Sequence, residues 1–194
     1  MKRRILLQAA TAAAASATPF IGRAWAQDKY PSKPIRLIVP FAPGGSSTIV
    51  ARAFATEMAK GLGQEIIIDN RPGGAGNIAM EAAAKAEPDG HTLIMGHIGT
   101  LAVNPYMFAK LPFDTNRDFA AVSLLAKVPS IFVVNSNVPV KNLKEMIDYC
   151  KANSGKVYYG SAGNGSAGHL AFEYLKLVTK MEIVHVPYKG TARS

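Results

Sequence analysis

One cysteine, one tryptophan and an aromatic content of 8% leave this sequence short of the groups that staple, stack or ligate. Cys150 has no partner for an internal disulfide, and no Cys/His spacing resembles a zinc site, so no metal is expected and any core must hold by packing alone. Lys/Arg clusters interleaved with aromatics are missing as well, which excludes a nucleic-acid surface. There is no internal repeat and no low-complexity tract, so fibrous and solenoid architectures are out.

What is present is a 194-residue chain with 48% hydrophobic and 18% charged residues, the composition of a folded domain. Its formal charge of +9 is partly local. Lys2, Arg3, Arg4 and Arg23 lie in a leader, and without them 18 basic residues face 13 acidic ones, a net +5. Such a mild excess suits a small anionic ligand.

Residues 1–26 read as a cleaved signal peptide. A basic start is followed by an Ala-rich apolar run and by Ala24-Trp25-Ala26, an A-x-A cleavage site. A membrane anchor is the competing reading, but the run is short, weakly apolar, and interrupted by Thr11, Ser16, Thr18 and Pro19. Arg3-Arg4 before Ile5-Leu6-Leu7 leaves both the Sec and the twin-arginine route open. No lipobox cysteine sits near the cut, so the expected mature protein, starting near Gln27, is free in a periplasm or outside the cell.

Past the leader, short β-rich runs alternate with longer helical ones, the βαβ signature of an α/β fold. The patterning predicts strands over 35–41, 65–69, 92–96, 121–128, 131–135, 156–160 and 183–186, and helices over 47–62, 77–85, 143–152 and 168–179. The stretch 100–118, with Asn104-Pro105 and Leu111-Pro112, breaks the alternation and is the predicted change of domain.

Three glycine-rich turns stand out. Pro43-Gly44-Gly45-Ser46-Ser47-Thr48 follows an apolar strand and opens a helix. Its glycines permit close backbone approach, its hydroxyls can cap the helix, and unpaired N–H groups there suit a carboxylate or phosphate. An ordinary capped turn accounts for the same residues equally well. No Lys-Ser/Thr follows at Walker spacing. Gly73-Gly74-Ala75-Gly76-Asn77-Ile78-Ala79 contains G-x-G-x-x-A, yet Asn70-Arg71-Pro72 separates it from its strand. No acidic residue lies about 20 positions onward, so it reads as a plain turn and no dinucleotide is expected.

The third turn, Gly160-Ser161-Ala162-Gly163-Asn164-Gly165-Ser166-Ala167-Gly168-His169, carries two serines that nearly match a nucleophile elbow. G-x-S-x-G would need glycine where Tyr159 and Asn164 stand. His91, His97, His169 and His185 each could serve as a base, but no spacing fixes a triad. Two polar strand-to-helix loops fit better with a ligand held by backbone amides and hydroxyls.

These residues carry a resemblance. Tyr30-Pro31-Ser32-Lys33-Pro34-Ile35-Arg36 running into Val39-Pro40-Phe41-Ala42-Pro43-Gly44-Gly45 resembles the start of the Bug family, the substrate-binding receptors of tripartite tricarboxylate transporters. The segments EIIIDNRPGGAG at 65–76, Pro88-Asp89-Gly90-His91-Thr92-Leu93, Gly99-Thr100 with Asn104-Pro105, 156–169, and Val186-Pro187-Tyr188-Lys189-Gly190-Thr191 follow in family order. The resemblance implies a type II periplasmic-binding-protein-like fold, two α/β lobes around a ligand cleft that close by a hinge. It assigns 27–118 to the first lobe and 119–194 to a second lobe that is incomplete here, because family members continue past Thr191. It also implies ligand contacts from Gly44, Gly45, Ser46, Ser47, Thr48, Gly99, Thr100, Ser161, Ala162, Gly163, Gly165, Ser166 and His169.

One departure bears on the ligand: where the family usually has an Asp after its Gly-Gly-Ser, this chain has Thr48, which counts against an amino-acid ligand whose ammonium needs an acidic partner. The expectation is an exported, non-enzymatic receptor that takes a small carboxylate to a membrane permease, with no cofactor. A serine hydrolase built on Ser161 or Ser166 and an inactive receptor fragment are the alternatives.

Overall fold

The computed structural model describes residues 29–192. The chain divides into a leading unit, Met1–Tyr30, and a second, Pro31–Ser194, to which all the described helices and strands belong. The signal-peptide residues 1–26 lie outside the described residues.

The first sheet is built around β1 (Ile35–Val39), flanked in parallel by β2 (Ile66–Asn70) and β3 (Thr92–Ile94), in the order β2-β1-β3. Ile35 faces Ile66 across one ladder, and Leu37 faces Leu93 across the other. A central parallel strand is covered on both faces, so its sequence IRLIV is a continuous apolar run broken only by Arg36. Helix α1 (Ser46–Leu62) lays Ala51 and Ala55 on Ile35, Leu37 and Val39; small residues there bring helix and sheet close. It ends at Gly63, whose left-handed φ of 68° carries a backbone N–H back to the Ala59 carbonyl. Helix α2 (Asn77–Ala84) buries Ala79 and Met80 and lies against β3 and β1.

A five-residue wide turn, Gly99–Val103, leads into the short helix α3 (Asn104–Met107). Between Met107 and Leu143 there is no helix or strand. Helix α4 (Leu143–Ala152) starts at a reciprocal cap: Asn142 Oδ1 accepts the Glu145 N–H at 3.0 Å, and Asn142 Nδ2 and the Lys141 N–H donate to the Glu145 carboxylate. The second sheet pairs β4 (Tyr158–Ser161) in parallel with β5 (Val184–Pro187), and α5 (Ala167–Thr179) connects them. Met146, Cys150, Tyr159, Met181 and Ile183 form its core, with Phe172 and Leu175 packed alongside.

Two predicted strands do not form. Residues 121–128 and 131–135 carry no strand, and Val122, Leu124, Ile131 and Val133 are 72–82% exposed. Their β-branched, alternating pattern is a preference for a pleated, half-buried surface. It becomes a strand only where a neighbour supplies hydrogen bonds and a covering layer, and no described strand lies beside them. Phe132 packs edge-on to Phe172 at 4.7 Å.

Candidate functional site

Three segments where strands give way to helices meet one another and a fourth that follows β5. The first leaves β1 and enters α1. Gly45, not a hydroxyl, occupies the cap position, so the expected side-chain cap from this loop is absent. The role is filled from far along the chain: Thr191 Oγ1 accepts the Ser46 N–H at 3.0 Å and lies 3.3 Å from Ser46 Oγ. The Ala42 N–H donates to the Lys189 carbonyl at 3.0 Å, adding a second tie. Ser46 and Ser47 are half-buried, whereas Thr48 is only 2% exposed. Its Oγ1 accepts from Asn70 Nδ2 at 2.9 Å, and the same amide donates to the Phe41 carbonyl. Thr48 therefore braces the loop to the end of β2. Asn70 is a positioning residue that sequence reasoning missed; a polar residue ending an apolar strand was its one signal.

The second segment follows β3. Thr100 is fully buried, and its hydroxyl bridges the His97 N–H and carbonyl, both at 3.2 Å. His97 Nδ1 accepts the Gly99 N–H at 3.0 Å, and its ring lies on Phe41 with centroids 4.7 Å apart. Burial pushes the His97 imidazole down to about 4, because nothing beside it repays the loss of water around a charge. Nε2, which carries the proton when Nδ1 accepts, is buried with no hydrogen-bond partner among the described residues. Asn104, also fully buried, donates to the Ala75 carbonyl at 3.0 Å and to Asn77 Oδ1 at 2.7 Å, tying α3 to the glycine turn before α2.

The third segment leaves β4 at Ser161 and enters α5. Ser161 is 4% exposed, and its hydroxyl lies 2.6 Å from His185 Nε2, 3.1 Å from the Gly163 nitrogen and 3.2 Å from the Gly163 oxygen. Ser166 caps α5 by accepting the His169 N–H at 3.3 Å, and His169 Nδ1 accepts the Gly165 N–H at 3.1 Å. Ala162 and Gly163 are half-buried, and Gly165 is buried. The fourth segment, after β5, is held to the third by Tyr188 N–H donating to the Ser161 carbonyl at 3.0 Å.

The segments close into a ring. The first touches the fourth through Ser46 and Thr191, the fourth the third through Tyr188 and Ser161, and the second the first through His97 and Phe41. The second meets the third at Gly99, where a Cβ would sit 2.6 Å from the Gly165 oxygen; only glycine permits that approach. Gly165, at φ +73°, is in the left-handed region, and a Cβ there would lie 3.2 Å from Asn104 Oδ1. No Lys, Arg, Asp or Glu occurs in 43–48, 97–104 or 161–169. The three loops offer amide N–H groups, hydroxyls and imidazoles and no fixed charge.

Of the remaining histidines, His91 is 8% exposed and accepts the Ser32 N–H, a local tie away from this ring. The Gly73–Gly76 turn carries a short helical turn and opens α2, as expected of a plain glycine turn. Two open concavities lie elsewhere, one of about 350 Å³ beside Lys33, Arg36 and Asp89 and one of about 210 Å³ beside Phe132 and Met146. Among the described residues no group of three metal-ligating side chains comes together.

Residues 50–194 match the tripartite tricarboxylate transporter family receptor domain, and the chain belongs to that family. Protein BugT of Bordetella pertussis is 36% identical over 90% of this chain and 54% of its own length. Among solved structures, R. palustris Rpa4515 with adipate is 37% identical with a TM-score of 0.82, and MatC from Rhodopseudomonas palustris with bound malate is 36% identical with a TM-score of 0.79. Each alignment covers 84% of this chain and 55% or 56% of the other. The chain thus spans about half the length of the relatives it matches. The Bug-family resemblance and the periplasmic-binding-protein fold expected from the motifs are borne out, and the family is one of receptors.

Proposed function

We propose that this chain is the ligand-holding part of an exported receptor that captures a small carboxylate and presents it to the membrane permease of a tripartite transporter. The observation that carries the reading is the set of three uncharged strand-to-helix loops, 43–48, 97–104 and 161–169, drawn together into a ring by the segment after β5. A carboxylate can be bound by amide N–H groups and hydroxyls at helix starts without a lysine or arginine, since each charge-assisted hydrogen bond is stronger than a neutral one. Gly44, Gly45, Ser46, Ser47, Thr48, Gly99 and Thr100 would form one wall and Ala162, Gly163, Gly165, Ser166, Ser161 and His169 the other, on lobes spanning 27–118 and 119–194. Thr48 and Thr100, being buried, would act by holding their loops. The adipate and malate bound by the two neighbours support a dicarboxylate, and the uncharged loops support it over an amino acid. Removal of residues 1–26 on export and a periplasmic location complete the proposal.

Calorimetric titration with malate, adipate, citrate and glutamate tests it. The expected result is binding of at least one of the first three in preference to glutamate; preference for glutamate, or no heat with any of them, would overturn the reading.

The 2.6 Å contact of Ser161 with His185 favours one second reading, a serine hydrolase. Against it, Ser161 is buried and bonded to Gly163, and among the described residues no carboxylate orients His185: Glu173 is occupied by Tyr159 Oη at 2.8 Å and by Lys176. A fluorophosphonate probe should leave Ser161 and Ser166 unlabelled.

A further inference from the structure

The second sheet holds a column of rings that the binding loops do not by themselves require. Tyr159 stacks on Phe172 at 4.2 Å and on His185 at 4.8 Å, and His185 stacks in turn on His169 at 4.3 Å, each tilted by only about 25°. Each imidazole also reaches the loop 161–166. His185 Nε2 meets Ser161 Oγ at one end, and His169 Nδ1 accepts the Gly165 N–H at the other.

The two contacts respond differently to a proton. Ser161 Oγ can donate to a neutral His185, or accept from a protonated one and donate to the Gly163 oxygen 3.2 Å away, so that end survives either state. The Gly165 N–H can only donate. If His169 Nδ1 takes a proton, two donors face each other at 3.1 Å and the bond is lost.

We propose that His169 and His185 are positioning residues for the loop Ser161–Ser166, stacked on one another and bonded to its two ends, and that they hold its shape only while His169 Nδ1 is unprotonated. The inference rests on reading that loop as a ligand wall, but its structural part does not depend on any ligand. Tyr159 on β4 stacks on His185, Glu173 and Lys176 on α5 act on it through their charges, and His97 meets the Gly165 end of the loop from the segment after β3. Burial, and then the neighbouring His169, push His185 below the ordinary histidine value; Lys176 acts in the same direction and Glu173 against it.

The test is nitrogen-15 spectroscopy of the whole chain between pH 8 and pH 4. At pH 8 His169 should show the tautomer protonated at Nε2, and the Gly165 amide should be protected from exchange. As His169 titrates, that protection should fall by roughly tenfold beyond the intrinsic pH dependence, the value of one hydrogen bond. In His169→Asn, whose Oδ1 can replace Nδ1 as acceptor, the fall in Gly165 protection with pH should shrink by roughly that tenfold, leaving the part due to His97, and the His185 midpoint should rise. A wild-type His169 protonated at Nδ1 at pH 8 would overturn the proposal even if the variant does not fold. So would Gly165 protection that ignores the His169 titration. Malate calorimetry at pH 7.5 and pH 5 then separates the two readings: weaker binding at pH 5 extends the loop result to function. No binding at either pH counts against the receptor reading alone.

Discussion

Thr191 Oγ1 accepts the Ser46 N–H at 3.0 Å across 145 residues of sequence, capping α1 from the far end of the chain. A helix start leaves N–H groups without intrahelical partners, and Gly45 has no side chain to answer them. The contact also joins the first and last segments of the ring, so one hydroxyl serves both helix capping and loop closure.

Thr191→Val should therefore raise amide exchange at Ser46 and destabilise the fold by about 0.5–1.5 kcal/mol, the usual value of one neutral hydrogen bond. Thr191→Ser should restore most of the loss. Hydrogen exchange read at Ser46, together with urea denaturation, distinguishes this from a general effect; unchanged Ser46 protection in the valine variant would refute it.

The His97 imidazole predicts a pH dependence of stability. Its folded-state value of about 4 lies below the ordinary 6.5, so the unfolded chain binds the proton more readily. The stabilisation is fully present above pH 6.5, declines as the pH falls toward 4, and levels off below that. At 1.36 kcal/mol per unit the loss is about 3 kcal/mol at most. Urea midpoints at pH 7, 5.5 and 4.5 should fall in that order, and His97→Asn, whose Oδ1 can still accept the Gly99 N–H, should flatten the slope.

Gly99→Ala should disrupt the meeting of the second and third segments. The added Cβ would lie 2.6 Å from the Gly165 oxygen and 2.5 Å from His97 Cε1, so backbone has to move. Overpacking of this kind costs about 1–3 kcal/mol. Carboxylate affinity should fall more than stability does, because the displaced atoms line the proposed site; calorimetry beside denaturation would show whether the two effects separate.

Asn104→Leu should be more damaging than its matching branched shape suggests. The fully buried amide satisfies the Ala75 carbonyl and Asn77 Oδ1, and leucine leaves both unpaired at about 1–3 kcal/mol each. A thermal midpoint equal to that of the wild type would show that water reaches these groups.

Much of the fold was legible in the sequence because its signals are local. The predicted helix over 143–152 coincides with α4, whose Asn142 and Glu145 form a cap from residues three apart. The apolar run 35–41 contains β1, the central strand that has to be apolar throughout. The predicted strands over 121–128 and 131–135 failed for the opposite reason: alternation states which face wants burial but does not supply the neighbouring strand.

The site divides along the same line. The sequence by itself determined that glycine-rich, uncharged loops would sit at the ends of β1 and β4, since φ preferences and chain order are properties of neighbouring residues. Only the tertiary structure decided which loops meet. Ser46 with Thr191, Gly99 with Gly165 and Ser161 with His185 are pairs separated by 145, 66 and 24 residues, respectively. Helix and strand signals act over a few residues, whereas these contacts exist only once two parallel sheets have stacked their strands in register and carried the loop ends together.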